Sequence, residues 1–562
     1  MYRHYILIFF FIIGAGKWTA FAQEEIRNPF DFPILLSGNF GELRANHFHA
    51  GIDFKTQGVE GKSVYAVQDG YVARIGVSPS GYGNVLYVAH PDGTTTVYAH
   101  LQKFASQIAA YVKERQYEEE RFSISLFPTP EQFPVKKGDI IALGGNSGSS
   151  GGPHLHFEVR DTETEDIIDP LIYYKNRVND TRAPSIRSVM VYPMEGAGAV
   201  NGSNRPRSLS ITTAKDGSQT ISAKIEAWGD IALGIRAFDG MDGTSNIYGI
   251  KEIVLEEDSV EIFRSNIERF SFDETRYLNS YADYAEWRNN NNQYVKCFIE
   301  PGNRLRFLES VNRGIITIDE ERTYHLSFRL SDIFGNTRRL SVRIDGKKQE
   351  IQETNQEDST FFRWMSDNRF GAKGVRLSIP RGNLYSSLNL RYTVKEDTIA
   401  LAATHTLHDN PVPLHRSAQL AIRLQKDSLE NKRQYGIVHV HKNRRSWIGG
   451  TYQYAWINAD IRELGTYTIA MDTTPPVITP IDPATWVQKR RIAIRISDDL
   501  SGINQYRGEI DGQFALFEYD AKKNLISYTF DPEHLERGTH ELRMTVTDAC
   551  GNQSIYTRSF TW

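Results

Sequence analysis

The stretch GGPHLHFEVR, residues 151–160, sets His154 and His156 two apart in a run whose alternation predicts a β-strand. Residues two apart on a strand share a face. His154, His156, Glu158 and Arg160 therefore lie on one side, toward solvent or a groove. Leu155, Phe157 and Val159 lie on the other, toward a core. Two adjacent imidazoles do little for stability, but they suit a metal ion beside an acid–base group. Upstream, His49 and Asp53 stand four apart in HAGIDF. Gly51 and its flanks argue against a helix here, and in an extended or bent segment the two side chains still share a side. Histidine and aspartate both bind zinc, and a catalytic zinc site takes three protein ligands plus an open position. HLHFE offers the third: one histidine of the 154/156 pair binds the metal, while the other and His100, in VYAHLQ, flank the water. A histidine titrates near neutrality, so it can take and return that water's proton.

The elements around these residues are mostly β. NVLYVAH and TTTVYAHL, joined through Pro91-Asp92-Gly93, predict a hairpin, and DIIALGG and HLHFEVR predict further strands. One piece differs. From about residue 102 to 134 the sequence departs from this pattern, and Phe104, Ile108, Tyr111 and Val112 recur at helical spacing. This predicts a helical insertion lying on the sheet; the alternative reading is a cover or docking element beside the site. After about residue 178 the chain changes character. Segments opening at Asp180-Thr-Arg-Ala-Pro184 and Asp472-Thr-Thr-Pro-Pro476 share an Asp-rich turn, near Asp239 and Asp498, and a closing Asp-x-x-Gly-Asn at Asp332–Asn336 and Asp548–Asn552. They read as internal repeats of one Ig-like β-sandwich. A third strand-rich segment lies between them. The expected organisation is a leader over residues 1–22, an antiparallel β domain over 23–178, and β-sandwiches over 179–349, 350–471 and 472–562, packed end to end as a stalk.

The leader is read from Arg3, an apolar run from Tyr5 to Ala15, and Ala20-Phe21-Ala22 before Gln23. It predicts export, with no later span apolar enough to cross a bilayer. A formal charge of −4 with 40% hydrophobic and 24% charged residues is ordinary for a globular protein and does not suggest nucleic acid binding. Two cysteines, Cys297 and Cys550, do not make a disulfide scaffold and read as buried thiols.

The set HFHAGIDF, VYAHL and PHLHFEVR, with YAVQDGYVARIG and VKKGDIIALGGNSGSSGG around it, closely resembles the M23 (LytM or lysostaphin-type) zinc endopeptidases over about residues 35–174. The resemblance implies a two-sheet antiparallel β fold with a groove over the metal. It implies one zinc per chain on His49, Asp53 and His156, with His100 and His154 as the catalytic pair. It also implies hydrolysis of peptide bonds in the peptidoglycan stem or cross-bridge, in the periplasm, cell envelope or exterior. The sandwiches imply an envelope partner or an anchoring task. The insertion departs from the family pattern, and Leu43 stands where some members carry an aromatic residue. The alternative is a non-catalytic envelope scaffold or activator; such members usually lose metal ligands, and none is lost here.

Other motifs read as structural. Gly148-Ser-Ser-Gly-Gly152 fits G-x-S-x-G, but Pro153 and a strand follow where a hydrolase elbow needs a helix, so it reads as a flexible loop at the groove edge. His47, His90 and the His439/His441 pair read as structural or exposed. The Asp-rich turns near Asp239 and Asp498 lack a full calcium-loop spacing and read as solvated turns.

Overall fold

The computed structural model describes residues 26–352, 360–397 and 399–562. The leader expected over residues 1–22 lies outside the described residues. Among these residues no helix is long and apolar enough to cross a membrane. The fold is mostly antiparallel β, as the alternation predicts.

The first unit is built on strands β1 (Leu36–Gly38), β2 (Ile52–Lys55), β3 (Gly70–Val77), β4 (Asn84–Ala89), β5 (Thr94–Phe104), β6 (Ile140–Gly144) and β7 (His154–Asp161). The main sheet runs β1-β2-β7-β5-β4-β3. The long strand β5 serves two layers. Its first part pairs with β7, while Leu101–Phe104 pairs with β6, which in turn pairs with Ser63–Tyr65. Leu155, Phe157 and Val159 are buried on the core face of β7.

The insertion is less helical than its spacing predicts. Only Ser106–Glu118 forms a helix, α1, which buries Ile108 and Val112. Phe104 still belongs to β5, and the chain returns as a short strand, Ile124–Leu126, on β3. The helix stops where Glu120 takes a left-handed φ of 46°. Continuing the β5 ladder satisfies more backbone groups than an earlier helix start would, so the first predicted helical residue is lost to the strand.

The second unit has ten strands in one hydrogen-bonded sheet, its two halves joined by a short parallel pairing of Glu226–Ala227 with Asp345–Gly346. It shares a single apolar core with the first unit, from Ile26 to Ile344. Its strand Arg269–Phe270 pairs with Ile167–Ile168 of the first unit. The third unit is a sandwich of two five-stranded sheets around its own core, Phe362 to Ile469, and the fourth a sandwich of two four-stranded sheets around Trp486 to Phe560. Cys297 and Cys550 are both free and buried.

The units do not form a stalk. The fourth folds back onto the first: Lys113 of α1 pairs with Asp531 and Glu533, Arg507 with Glu120 at 2.8 Å, and Tyr117 stacks on His534 with ring centroids 3.5 Å apart. Lys522 donates to the carbonyl of Asn146. The outer face of α1 thus meets a complementary acidic surface more than 400 residues downstream, which spacing along the chain cannot reveal.

Candidate metal centre

Strand β7 lies between β2 and β5. On one side His156 stands opposite Asp53 and His154 opposite Lys55; on the other, His156 stands opposite Ala99. Directly opposed residues of an antiparallel pair have Cβ atoms about 4.5–5.5 Å apart, so Asp53 and His156 emerge side by side. His49 arrives from the bend before β2. That bend needs Gly51, because a Cβ there would lie 2.2 Å from the carbonyl oxygen of Phe157.

Three atoms converge. His49 Nε2, Asp53 Oδ1 and His156 Nδ1 lie 3.0 Å from one another in all three pairs. All three residues are buried. The outer nitrogens fix the tautomers. His49 Nδ1 is 2.6 Å from the carbonyl of Asn39, which only accepts, so Nδ1 carries the hydrogen. His156 Nε2 likewise donates to Glu158 Oε1 at 2.9 Å. In the neutral rings the inner nitrogens are then bare, and two lone pairs face a carboxylate oxygen with no proton among them. Such an arrangement is repulsive unless a cation sits at its centre. Tetrahedral zinc with bonds of about 2.0–2.2 Å would set its ligands roughly 3.3–3.6 Å apart, a few tenths wider than the spacing here, so the donor set fits that ion with a small relaxation.

The electrostatics favour positive charge at this point, which a proton on His156 supplies where no metal ion does. Burial works against charge on His156, yet Asp53 and Glu158 outweigh it and push the imidazole up to about 9. Burial would raise Asp53, but His49 and His156 hold it well below the usual carboxylate range. Burial would also raise Glu158, but Arg160 and His156 bring it down to about 2, so it stays ionised. Arg160 binds Glu158 through Nε at 2.7 Å and Nη2 at 2.5 Å, and the Tyr82 hydroxyl caps the other oxygen. The polar face of β7 is therefore not solvated beyond His154: Glu158 and Arg160 are buried as a charge-balanced support for His156. This is a carboxylate–histidine arrangement of the kind that orients metal ligands. Arg44 adds a contact to the second oxygen of Asp53 at 3.4 Å.

His100 and His154 face the same pocket, with ring centroids 4.8 Å apart. His100 has a φ of 59°, a left-handed conformation uncommon for a non-glycine residue. It interrupts the β5 alternation and turns the ring toward the site. Its Nδ1 is 2.9 Å from the carbonyl of Ser147, and that of His154 is 2.8 Å from the carbonyl of Gly152. Both rings thus keep Nε2 bare toward the pocket. Burial, with His156 and His154 beside it, pushes His100 down to about 3. Burial also lowers His154.

The glycine-rich loop before β7 is tied down rather than flexible. Ser147 Oγ donates to the carbonyl of Leu101 and accepts from Asn84 N–H. A Cβ on Gly148, whose φ is +66°, would lie 2.3 Å from Gly83 N. Ser150 is 3% exposed and sits 3.1 Å from His154 Nδ1, supporting the ring. His90 binds Asp69 and Thr96 away from the pocket, and His47 is exposed. His439 is buried beside Glu463 rather than exposed.

The structure thus brings together all five residues singled out in the sequence. Sequence reasoning missed Asn39, Tyr82, Arg44, Ser147 and Ser150. Four of these act through main-chain carbonyls or a hydroxyl and leave no spacing signal. Glu158 and Arg160 were visible as neighbours of His156 on one face, but not as its buried support.

Comparison with known proteins agrees with this geometry. Residues 47–117 match Peptidase family M23, and residues 359–472 match the Zu5-like domain. An "Uncharacterized metalloprotease" of Haemophilus influenzae is 32% identical over 145 residues, covering 26% of this chain and 24% of that protein. The "DD-carboxypeptidase/endopeptidase Mpg" of Neisseria meningitidis serogroup B is 32% identical over 150 residues, covering 26% and 27%. The "Murein hydrolase activator NlpD" of Salmonella dublin is 30% identical over 139 residues, covering 25% and 29%. The chain spans about a quarter of the length of the curated relatives it matches. Motifs, site geometry and family match converge on one statement: the chain carries a peptidase family M23 domain.

Proposed function

We propose that the protein is an exported zinc-dependent endopeptidase that hydrolyses peptide bonds of bacterial peptidoglycan. One observation carries the reading: the inner atoms of His49, Asp53 and His156 meet at 3.0 Å with their outer nitrogens locked, beside two imidazoles whose Nε2 atoms are bare. His49, Asp53 and His156 would hold the ion. Zinc, when bound, supplies Lewis acidity and brings the pKa of a water to about 7.

The chain's own residues do the rest. Asn39 and Glu158 keep the ligand tautomers fixed. The carbonyls of Ser147 and Gly152 hold His100 and His154 with Nε2 inward; there the uncharged His100 can accept a hydrogen bond from the attacking water, and His154, at the rim, can take its proton and return it to the departing amine. His100 is enclosed and uncharged; His154 lies at the open rim, its side chain 16% exposed. The relative named as a DD-carboxypeptidase/endopeptidase supports a peptidoglycan substrate, and the segment at residues 1–22 supports export. The β-sandwich units would hold the enzyme against another envelope component.

The likeness to a murein hydrolase activator supports a second reading, in which the domain stimulates a separate hydrolase. Zinc content of the purified mature chain, with digestion of purified peptidoglycan and a chelator control, separates the two. The enzyme reading expects one zinc and soluble fragments that disappear on chelation and in His156→Ala. Zinc-replete protein that leaves peptidoglycan intact while stimulating an added hydrolase would replace it. Mass spectrometry of the fragments identifies the bond cut.

A further inference from the structure

The Asp-rich turns of the two repeats are not solvated. In the first repeat Asp180, Asp239 and Asp332 come from three separate stretches and are all buried, at 9%, 5% and 8% exposure. In the second, Asp472 and Asp548 are buried and Asp498 is half-buried. Each trio places three carboxylate oxygens within 4.8 Å of one another.

The two trios are built alike. Asp332 Oδ1 accepts from the N–H groups of Phe334 and Asn336, and its Oδ2 from the Asn336 amide. Asp548 does the same with Cys550 and Asn552. Both asparagines also donate to the carbonyl of the first aspartate, Asp180 or Asp472. That aspartate accepts from the residue two ahead, Arg182 or Thr474, and from the equivalent turn position, Asp242 or Ser501.

These hydrogen bonds all come from neutral amide N–H groups. Arg182 passes beside the first trio but donates its Nη1 to the carbonyls of Met241 and Thr244. Arg182 offsets part of the charge through space, but it makes no ion pair with the three carboxylates, which share a small buried volume. In each trio one oxygen is also buried with no partner: Asp180 Oδ2, on a residue more than nine-tenths buried, and Asp498 Oδ1. The hydrogen bonds of Asp180 fall on Oδ1, and Oδ2 has no donor. An unpaired carboxylate oxygen in each trio, on Asp180 in the first and on the half-buried Asp498 in the second, calls for a cationic partner at both joints.

Calcium binds carboxylate oxygens at 2.3–2.6 Å, so ligands across the ion stand about 4.6–5.2 Å apart. The observed spread fits within that limit, and an all-oxygen donor set favours a hard cation over zinc. We propose that each repeat carries a calcium-type divalent cation site, formed by Asp180, Asp239 and Asp332 in the first and by Asp472, Asp498 and Asp548 in the second. Each site ties the segment entering its sandwich to the two loops at that end, so the ion staples a joint between units.

The test uses the full mature chain, stripped with chelator, reloaded with zinc and dialysed against calcium. Two calcium ions per chain beyond zinc are expected, with a melting temperature that rises with calcium concentration. Asp239→Asn and Asp498→Asn should each remove one ion, and the double variant both, with circular dichroism and zinc content unchanged. Wild-type protein that takes up no calcium at millimolar concentration, or calcium retained in a folded double variant, overturns the assignment. If a variant fails to fold, the wild-type stoichiometry decides alone.

Discussion

Glu158 is the test of how the centre is held. It is fully buried, accepts Nε2–H of His156 at 2.9 Å, and is paired with Arg160 at 2.5–2.7 Å. Glu158→Gln keeps the size but not the charge. Gln has one acceptor oxygen. If it faces His156, its amide faces Arg160, donor against donor. Breaking one side of a buried ion pair costs about 3–5 kcal/mol, here at the low end, because the Arg160 guanidinium also lies over the rings of Tyr87 and Phe272. Separately, loss of an outer carboxylate costs about 10–100-fold in metal affinity. The two effects can be read apart. Urea unfolding of the zinc-free protein reports the first; chelator competition for zinc reports the second. In Glu158→Gln/Arg160→Met both buried charges are gone, so most of the stability should return while zinc affinity stays low. If Glu158→Gln binds zinc as tightly as wild type, the carboxylate does not steer His156. If the double variant recovers zinc affinity along with stability, the effect ran through the fold and the orienting role is refuted.

Replacing the inner set and the flanking pair should separate holding from turnover: His49→Ala, Asp53→Asn and His156→Ala lose zinc and hydrolysis together, whereas His100→Ala and His154→Ala keep zinc and lose about 10²–10⁴-fold in rate, measured by elemental analysis and peptidoglycan digestion. Asp169, buried where it accepts Leu171 N–H at 2.9 Å, is pushed by burial from 3.8 to about 6. The folded chain keeps that proton longer than the unfolded one, so stability falls as pH rises from 3.8 to about 6 and the full cost, on the order of 3 kcal/mol, applies above that. Asp169→Asn should therefore stabilise at pH 8 and change little at pH 3, measured by denaturant unfolding. A fragment of residues 23–178 lacks the second unit's support for Phe48, whose ring meets Phe270, Tyr281 and Phe307 at 5.5–5.7 Å; it should melt lower and bind zinc more weakly than the full chain, checked by calorimetry and zinc titration.

The period-2 pattern of HLHFEVR made the face shared by His154 and His156 legible, and Gly51 made the bend between His49 and Asp53 legible. Which imidazole reaches Asp53 is a matter of register: His156 stands opposite Asp53, while His154 stands opposite Lys55. Register depends on pairing partners 100 residues away, and only the family resemblance supplied it from sequence. The same face looked solvent-directed because Glu158 and Arg160 are charged; their mutual pairing is what allows both to be buried. The Asp-rich turns misled for a related reason. Asp, Gly and Asn mark turns, but convergence of three distant turns is a tertiary fact. The supports of the imidazoles, carbonyls of Asn39, Ser147 and Gly152, leave no trace in side-chain types.

These supports show why the later units are more than a tether. Asn39, whose carbonyl holds His49, is itself held by side-chain bonds to the main chain of Gly249 in the second unit. Phe48, beside His49, donates its N–H to Thr275 of that unit. On the opposite flank, Lys522 of the fourth unit reaches Asn146, next to the Ser147 carbonyl that aims His100. The two flanks differ in strength. The second unit contributes buried aromatic contacts, each worth about 0.5–1.5 kcal/mol beyond the area it covers. The fourth contributes largely exposed ion pairs such as Arg507–Glu120, worth about 0–1 kcal/mol. The ligand side of the centre is thus fixed to its neighbour as one body, while the side bearing His100 and His154 is braced by contacts that ionic strength can loosen.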